Sequence, residues 1–136
     1  MEPLTLDEAN KMLAGGVAKA KAMKINPCTI AILDPRGDLI ALSKMDGALW
    51  RSVPISQGKA AASAAFDTPS GDLTERWGTP VVRGLSMMEN GRLIPWQGAL
   101  PIRRADGIML GAIGVSGAKS NEDEEVAAAG LAAAGF

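Results

Sequence analysis

Apolar and small residues recur at positions 6, 9, 12, 13, 16, 17, 20 and 23, a spacing that gathers them on one face of a helix. Thr5, followed three residues later by Glu8, is a capping-box pair that sets the start of this helix, and Asn26-Pro27 stops it. From Cys28 the pattern changes to two β-prone runs, Cys28 to Leu33 and Leu39 to Met45. They are joined by Asp34-Pro35-Arg36-Gly37-Asp38, with proline early and glycine late as a reversing turn requires. A hairpin is expected there. Ser52 can cap a second helix running to about Phe66, with Pro54 tolerated in its first turn. Gly58, Ala61, Ala62 and Ala65 fall along one side of that helix, which predicts very close packing against its support.

Residues 67 to 98 are rich in Gly, Pro and Thr and read as irregular, apart from a short helix from Ser70 to Trp77. A long irregular stretch inside a compact domain more often has a functional role than a merely connecting one. Ala99 to Ala105 and Ile108 to Ser116 then form the clearest hairpin, because Asp106-Gly107 suits a two-residue type I′ turn. A last helix starts near Ser120 and runs to about Ala134. This order of elements predicts an α+β sandwich on an antiparallel sheet, a single domain over residues 1–136.

The chain carries 14 basic and 15 acidic residues without a dense basic run, so nucleic acid is not an expected partner. Its apolar stretches fall well short of the ~20 residues that span a bilayer, and no membrane association is expected. The N-terminus lacks a basic segment followed by an apolar one, and Cys28 is the only cysteine, which together predict a soluble protein of the reducing cytoplasm. Histidine and tyrosine are both missing. Ser-His-Asp or Cys-His arrangements, imidazole bases and His-rich metal sites are therefore excluded within one chain, and no metal is expected. Proton transfer is left to Asp, Glu, Lys, Cys or water.

The run Gly111-Ala-Ile-Gly-Val-Ser-Gly117 reads as a glycine-studded buried strand, and Ser120-Asn-Glu-Asp-Glu-Glu125 as the acidic opening of a helix. Together with Asp34-Pro-Arg-Gly-Asp-Leu39, Lys44-Met-Asp-Gly-Ala48 and Lys59-Ala-Ala-Ala-Ser63, these motifs give the chain, from Leu4 to Leu131, a sequence that resembles the GlcG/HbpS-like family, also called the haem-degrading domain family. The resemblance implies a profilin-like α/β/α sandwich around a five-stranded antiparallel sheet, compact homo-oligomers, and haem binding in some members. Two departures stand out. Gln97-Gly98-Ala99-Leu100-Pro101 replaces the Gly-Gly-Val/Ile-Pro of many members, and of the usual iron ligands only Cys28 and seven Met are present.

Several residues carry candidate chemistry. Gly111, Gly114 and Gly117 ahead of a helix suit either a bound phosphate or close strand–helix packing, and Glu122, Asp123, Glu124 and Glu125 would repel an anion there. Lys59 lies mid-helix among small residues, either solvated or directed into a pocket, where it would hold a carboxylate or act as a base. Asp46 is either a turn aspartate or a carboxylate at a pocket mouth, paired with Lys59 or Arg51. Arg103 and Arg104, adjacent on a strand, point to opposite faces, and Arg103 is the one expected to face a pocket. Trp50, Trp77, Trp96, Met87 and Met88 would either enclose a flat apolar ligand or serve the core and subunit contacts. Cys28 is expected to be an inert core thiol.

The expected function is binding of a small, mainly apolar ligand that carries an acidic group, in a pocket between the sheet, the second helix and residues 77–98. From the resemblance, haem is the candidate ligand. Its propionates would meet Lys59 or Arg103, and Met87, Trp96, Gly114 and Gly117 would adjoin it. The alternative is a lyase, isomerase or hydratase acting on a small carboxylic acid or carbonyl compound, in which Lys59 or an arginine orients the carboxylate and Asp46 or Asp123 moves a proton. A purely structural oligomer is the third reading.

Overall fold

The computed structural model describes residues 2–136. Helix α1 spans Leu6–Met23, and the expected capping box closes its N-terminus. The Glu8 N–H donates to Thr5 Oγ1 and the Thr5 N–H to Glu8 Oε1, each at 3.0 Å. Strands β1 (Thr29–Leu33) and β2 (Leu39–Lys44) form the first hairpin, and Asp34 Oδ1 organises its turn by accepting the N–H groups of Arg36 and Asp38. Helix α2 covers Ser52–Phe66. Ser52 is the first helical residue, not the cap: its hydroxyl donates to the Leu49 carbonyl at 2.6 Å and lies 2.7 Å from the Thr29 hydroxyl.

Between α2 and the next strand, the Ser70–Trp77 helix is a 3₁₀ segment extending to Gly78, and a further helix α3 (Pro80–Met88) follows where irregular chain was expected. Strands β3 (Ala99–Arg103) and β4 (Met109–Ser116) and helix α4 (Ser120–Ala133) complete the chain. The β3–β4 turn is wider than a two-residue I′ turn. Of Asp106 and Gly107 only the glycine takes a positive φ, and the register shifts between Ile102 and Arg103.

Among the described residues the sheet has four antiparallel strands in the order β2-β1-β4-β3, not the expected five. A fifth strand would have to come from residues 67–98, and prolines at 69, 80 and 95 with glycines at 71, 78, 84 and 91 deny that segment an unbroken ladder.

Alternation along the central strands gives the sheet two apolar faces. Ile30, Ile32, Ile113 and Val115 pack with Met12 of α1 and Val126 and Ala127 of α4. On the opposite side Leu33 and Ala112 meet Ala60, Ala61 and Ala64 of α2, with Leu73 and Leu93 beside them. The second face is the thinner. A Cβ at Gly114 would run into the Ser56 carbonyl and stand 2.8 Å from Ala60 Cβ, so α2 rests almost on the backbone of β4. No helix among the described residues is long and apolar enough to cross a membrane.

Candidate functional site

A cleft of about 540 Å³ opens where the C-terminal end of β4 meets the first turns of α2 and α4, a volume within the range of small-molecule sites. One wall is α2, whose Ser52, Ile55 and Lys59 share a face at i, i+3 and i+7. The opposite side is built by Asn26 and Pro27 ahead of β1 and by Ser116, Gly117 and Ala118 after β4. Leu49, Arg51 and Trp96 stand around the mouth.

The floor is an ion pair. Lys59 is 3 % exposed, and its Nζ donates to Asp123 Oδ2 at 3.1 Å and to the Val115 carbonyl at 3.0 Å. Asp123 is 1 % exposed, and its Oδ1 accepts the Ala118 N–H at 3.0 Å. An ammonium has three protons, so one N–H of Lys59 has no protein acceptor among the described residues. The amine has this position because residue 98 is glycine. Gly98 has φ +141°, and a Cβ there would come within 2.7 Å of both Lys59 Nζ and the Val115 oxygen.

Burial pushes the Asp123 carboxyl above the usual range, and this outweighs the attraction of Lys59 and the Ala118 N–H, which pull it down. Cys28 lies behind the floor, its Sγ 3.9 Å from Asp123 Oδ1 and 3.3 Å from the Asn26 carbonyl. Burial, then the Asp123 charge, push its thiol up to about 11, so it is protonated at neutral pH.

The wall near the mouth is pinned by polar side chains. The buried Ser70 hydroxyl donates to the Trp96 carbonyl at 2.6 Å and accepts the Ala99 N–H at 3.0 Å. Gln97 donates to Glu124, and its Oε1 accepts the Ser120 hydroxyl at 3.2 Å, which ties the segment ahead of β3 to the first turn of α4. Trp96 is thereby held at the rim, 55 % exposed.

Of the residues singled out from sequence, Arg51, Lys59, Asp123, Trp96 and Gly117 meet at this cleft, whereas Asp46, Arg103, Met87 and Gly114 do not. Asp46 is exposed in a separate shallow depression beside Val17 and Lys21, and it pairs with neither Lys59 nor Arg51. Its turn follows β2, which carries it to the α1 side of the sheet edge. Arg103 turns outward to Asp67, its Nη2 2.7 Å from Oδ1, because the irregularity after Ile102 aims it off the sheet. Met87 stands 80 % exposed on α3, away from the cleft. Gly114 lies beneath α2 and serves packing.

The sequence shows Arg51 only as a partner for Asp46 and Ser52 only as a helix cap, and Ile55 not at all. Their signal was the spacing they share with Lys59 along α2. The Val115 carbonyl, a backbone group, had none.

Residues 4–132 match the family model described as haem degrading protein HbpS-like. The chain is 29% identical over 130 residues to a 15.0 kDa protein of the dhaT-dhaS intergenic region of Citrobacter freundii, covering 94% of this chain and 89% of that protein. The solved PduOC:haem complex superimposes with a TM-score of 0.85 at 25% identity, over 97% of this chain and 95% of that one. Klebsiella pneumoniae ORFY gives 0.86 at 26%, over 98% and 92%. A double mutant of Streptomyces reticuli HbpS gives 0.84 at 26%, over 100% and 90%.

Proposed function

The chain belongs to the HbpS-like family, and on that premise we propose that its cleft binds a small ligand joining an apolar body to an anionic group, a description that haem meets through its ring and propionates. The observation that carries this reading is Arg51. Its guanidinium stands at the mouth without an ion-pair partner among the described residues, beside Leu49, Ile55 and Trp96. Lys59, the expected propionate ligand, has its charge matched by Asp123, so the floor is close to neutral and offers a single N–H to an uncharged oxygen.

The organic part of haem suits this lining, but the iron does not. Among the described residues no His, Tyr, Cys or Met lines the cleft, and Cys28 is sealed behind its floor. Binding therefore rests on the ring and the propionates, not on an axial ligand. Lys59 lies eight positions after Arg51, the residue that caps α2, about 12 Å along a helix axis, which favours an elongated ligand lying between mouth and floor.

Titrations with hemin and with iron-free protoporphyrin, followed by tryptophan quenching, test the reading. Both should saturate, with affinities within a few-fold of each other. Arg51→Gln should weaken both by about tenfold or more, the worth of a charge-assisted hydrogen bond. Non-saturating titrations, or an Arg51→Gln protein that binds as the wild type does, would refute it. We further propose that a second copy packs against Trp50, which is 80 % exposed and lies in the chain between the cleft residues Leu49 and Arg51. Sedimentation of the wild type against Trp50→Ser checks this, with no change in mass counting against it.

A further inference from the structure

We infer that the Lys59–Asp123 pair at the floor of the cleft is an acid–base centre that removes and returns a proton on the carbon next to a carbonyl group of a bound oxo acid. This rests on the cleft being the ligand site, and it adds chemistry to binding.

The pair has the parts such a step needs, side by side. Lys59 Nζ lies 3.1 Å from Asp123 Oδ2, and both residues line the cleft although each is almost wholly buried. The uncommitted N–H of Lys59 is the donor, and the oxygen it can serve is one that a ligand brings. Asp123 is the base. Its Oδ1 accepts from the Ala118 N–H and, at 3.9 Å, from the Cys28 thiol, and its Oδ2 accepts from Lys59, which leaves a lone pair on Oδ2 for the proton. Burial raises its proton affinity, which suits a base that must take a proton from carbon near neutral pH. Gly98 strengthens the case, since a side chain there would drive the amine from its place. The only other titratable side chain lining the cleft is Arg51, at the mouth, where the acid group of the same ligand would dock.

The step balances without a co-reactant. The C–H bond next to the carbonyl breaks, and its proton goes to Asp123. The electron pair forms the C=C of an enolate as the carbonyl π pair moves to oxygen, which Lys59 holds by its free N–H. Return of a proton from Asp123 to the same carbon restores the ketone, and in a substrate with a C=C beside that carbon, delivery to the far end of the resulting dienolate would move the double bond. Nothing is oxidised or reduced.

The probe is 4-oxo-4-phenylbutanoate, with an aromatic body, a ketone and a carboxylate. In deuterium oxide the wild-type protein should quench tryptophan fluorescence on binding it and replace the protons next to the ketone, not those next to the carboxylate. Proton NMR should show exchange at least 100-fold faster than in buffer, within the scale of positioned acid–base groups. Asp123→Asn should return exchange to the buffer rate at probe concentrations where quenching shows the variant to be occupied.

A pH profile of the wild type keeps the test open should that variant not fold. The titratable groups facing Asp123 are Lys59 from α2 and Cys28 ahead of β1, with Glu122 and Glu124 adjacent on its own helix. Exchange should rise with pH as Asp123 ionises, above the usual carboxylate range. Quenching with exchange at the buffer rate, or a catalysed rate that does not vary with pH, overturns the inference and leaves the binding reading standing. Absence of quenching refutes both.

Discussion

Removing both members of the Lys59–Asp123 pair is expected to cost clearly less than the sum of removing each alone. In Asp123→Asn the ammonium stays 3 % exposed with only the Val115 carbonyl and a neutral amide beside it. In Lys59→Met the carboxylate keeps the Ala118 N–H and loses its counter-charge. An uncompensated buried charge of this kind costs about 3–5 kcal/mol, a large share of the roughly 5–15 kcal/mol that holds a domain folded. The double variant Lys59→Met/Asp123→Asn buries no charge, and its loss should fall short of the sum of the singles by about 2–3 kcal/mol, the upper range for groups in contact. Urea unfolding of the four proteins, followed by tryptophan fluorescence and extrapolated linearly, measures each term. Single variants that lose under about 1 kcal/mol would behave like an exposed ion pair. That result, or strict additivity, would refute the desolvated floor on which both functional readings depend.

Gly114→Ala should cost about 1–3 kcal/mol by pushing α2 off β4, whereas Gly84→Ala on α3, where an added Cβ meets nothing within 4 Å, should be neutral or stabilising; chemical denaturation of both separates them. The Glu8 carboxyl is lowered from 4.5 to about 2, chiefly by its hydrogen bond from Arg104. A carboxyl lowered in the folded state contributes stability above pH 4.5 that is lost as pH falls toward 2, so the difference in melting temperature between wild type and Arg104→Gln should shrink across that window, and a constant difference would count against it. Cys28, fully buried and raised to about 11, should ignore Ellman's reagent at pH 8 in the native protein and release one equivalent in guanidinium; rapid native reaction would show the floor to be open.

Elements whose ends carry local chemistry were legible in the sequence: α1 from Thr5 and Glu8, the first hairpin from Pro35 and Gly37, and α4 from its acidic start. Helix α3 was not, because Val81, Val82 and Gly84 are poor helix formers and few tertiary contacts mark it. The fifth strand that the resemblance implies does not form among the described residues, because the prolines and glycines of 67–98 interrupt any ladder there. At the site, Lys59 and Asp123 were each visible as residue types, but 64 positions separate them, and only the crossing of α2 over the end of β4 brings them together. Asp46 and Arg103 lie away from the cleft for a directional reason. A turn and a strand irregularity decide where a side chain points, and neither leaves a periodic trace.

The Lys59 stem begins on the helix covering one face of the sheet and ends against the first turn of the helix covering the other. The two helical layers are thus fastened to each other at one end of the sheet as well as to the strands between them. Local opening at that end cannot be private to either layer: fraying of the first turn of α4 strands a charge on α2, and loosening of α2 strands one on α4. Backbone amides in those two stretches should therefore exchange with solvent at a common free energy of opening, and a ligand seated over the pair would slow both together.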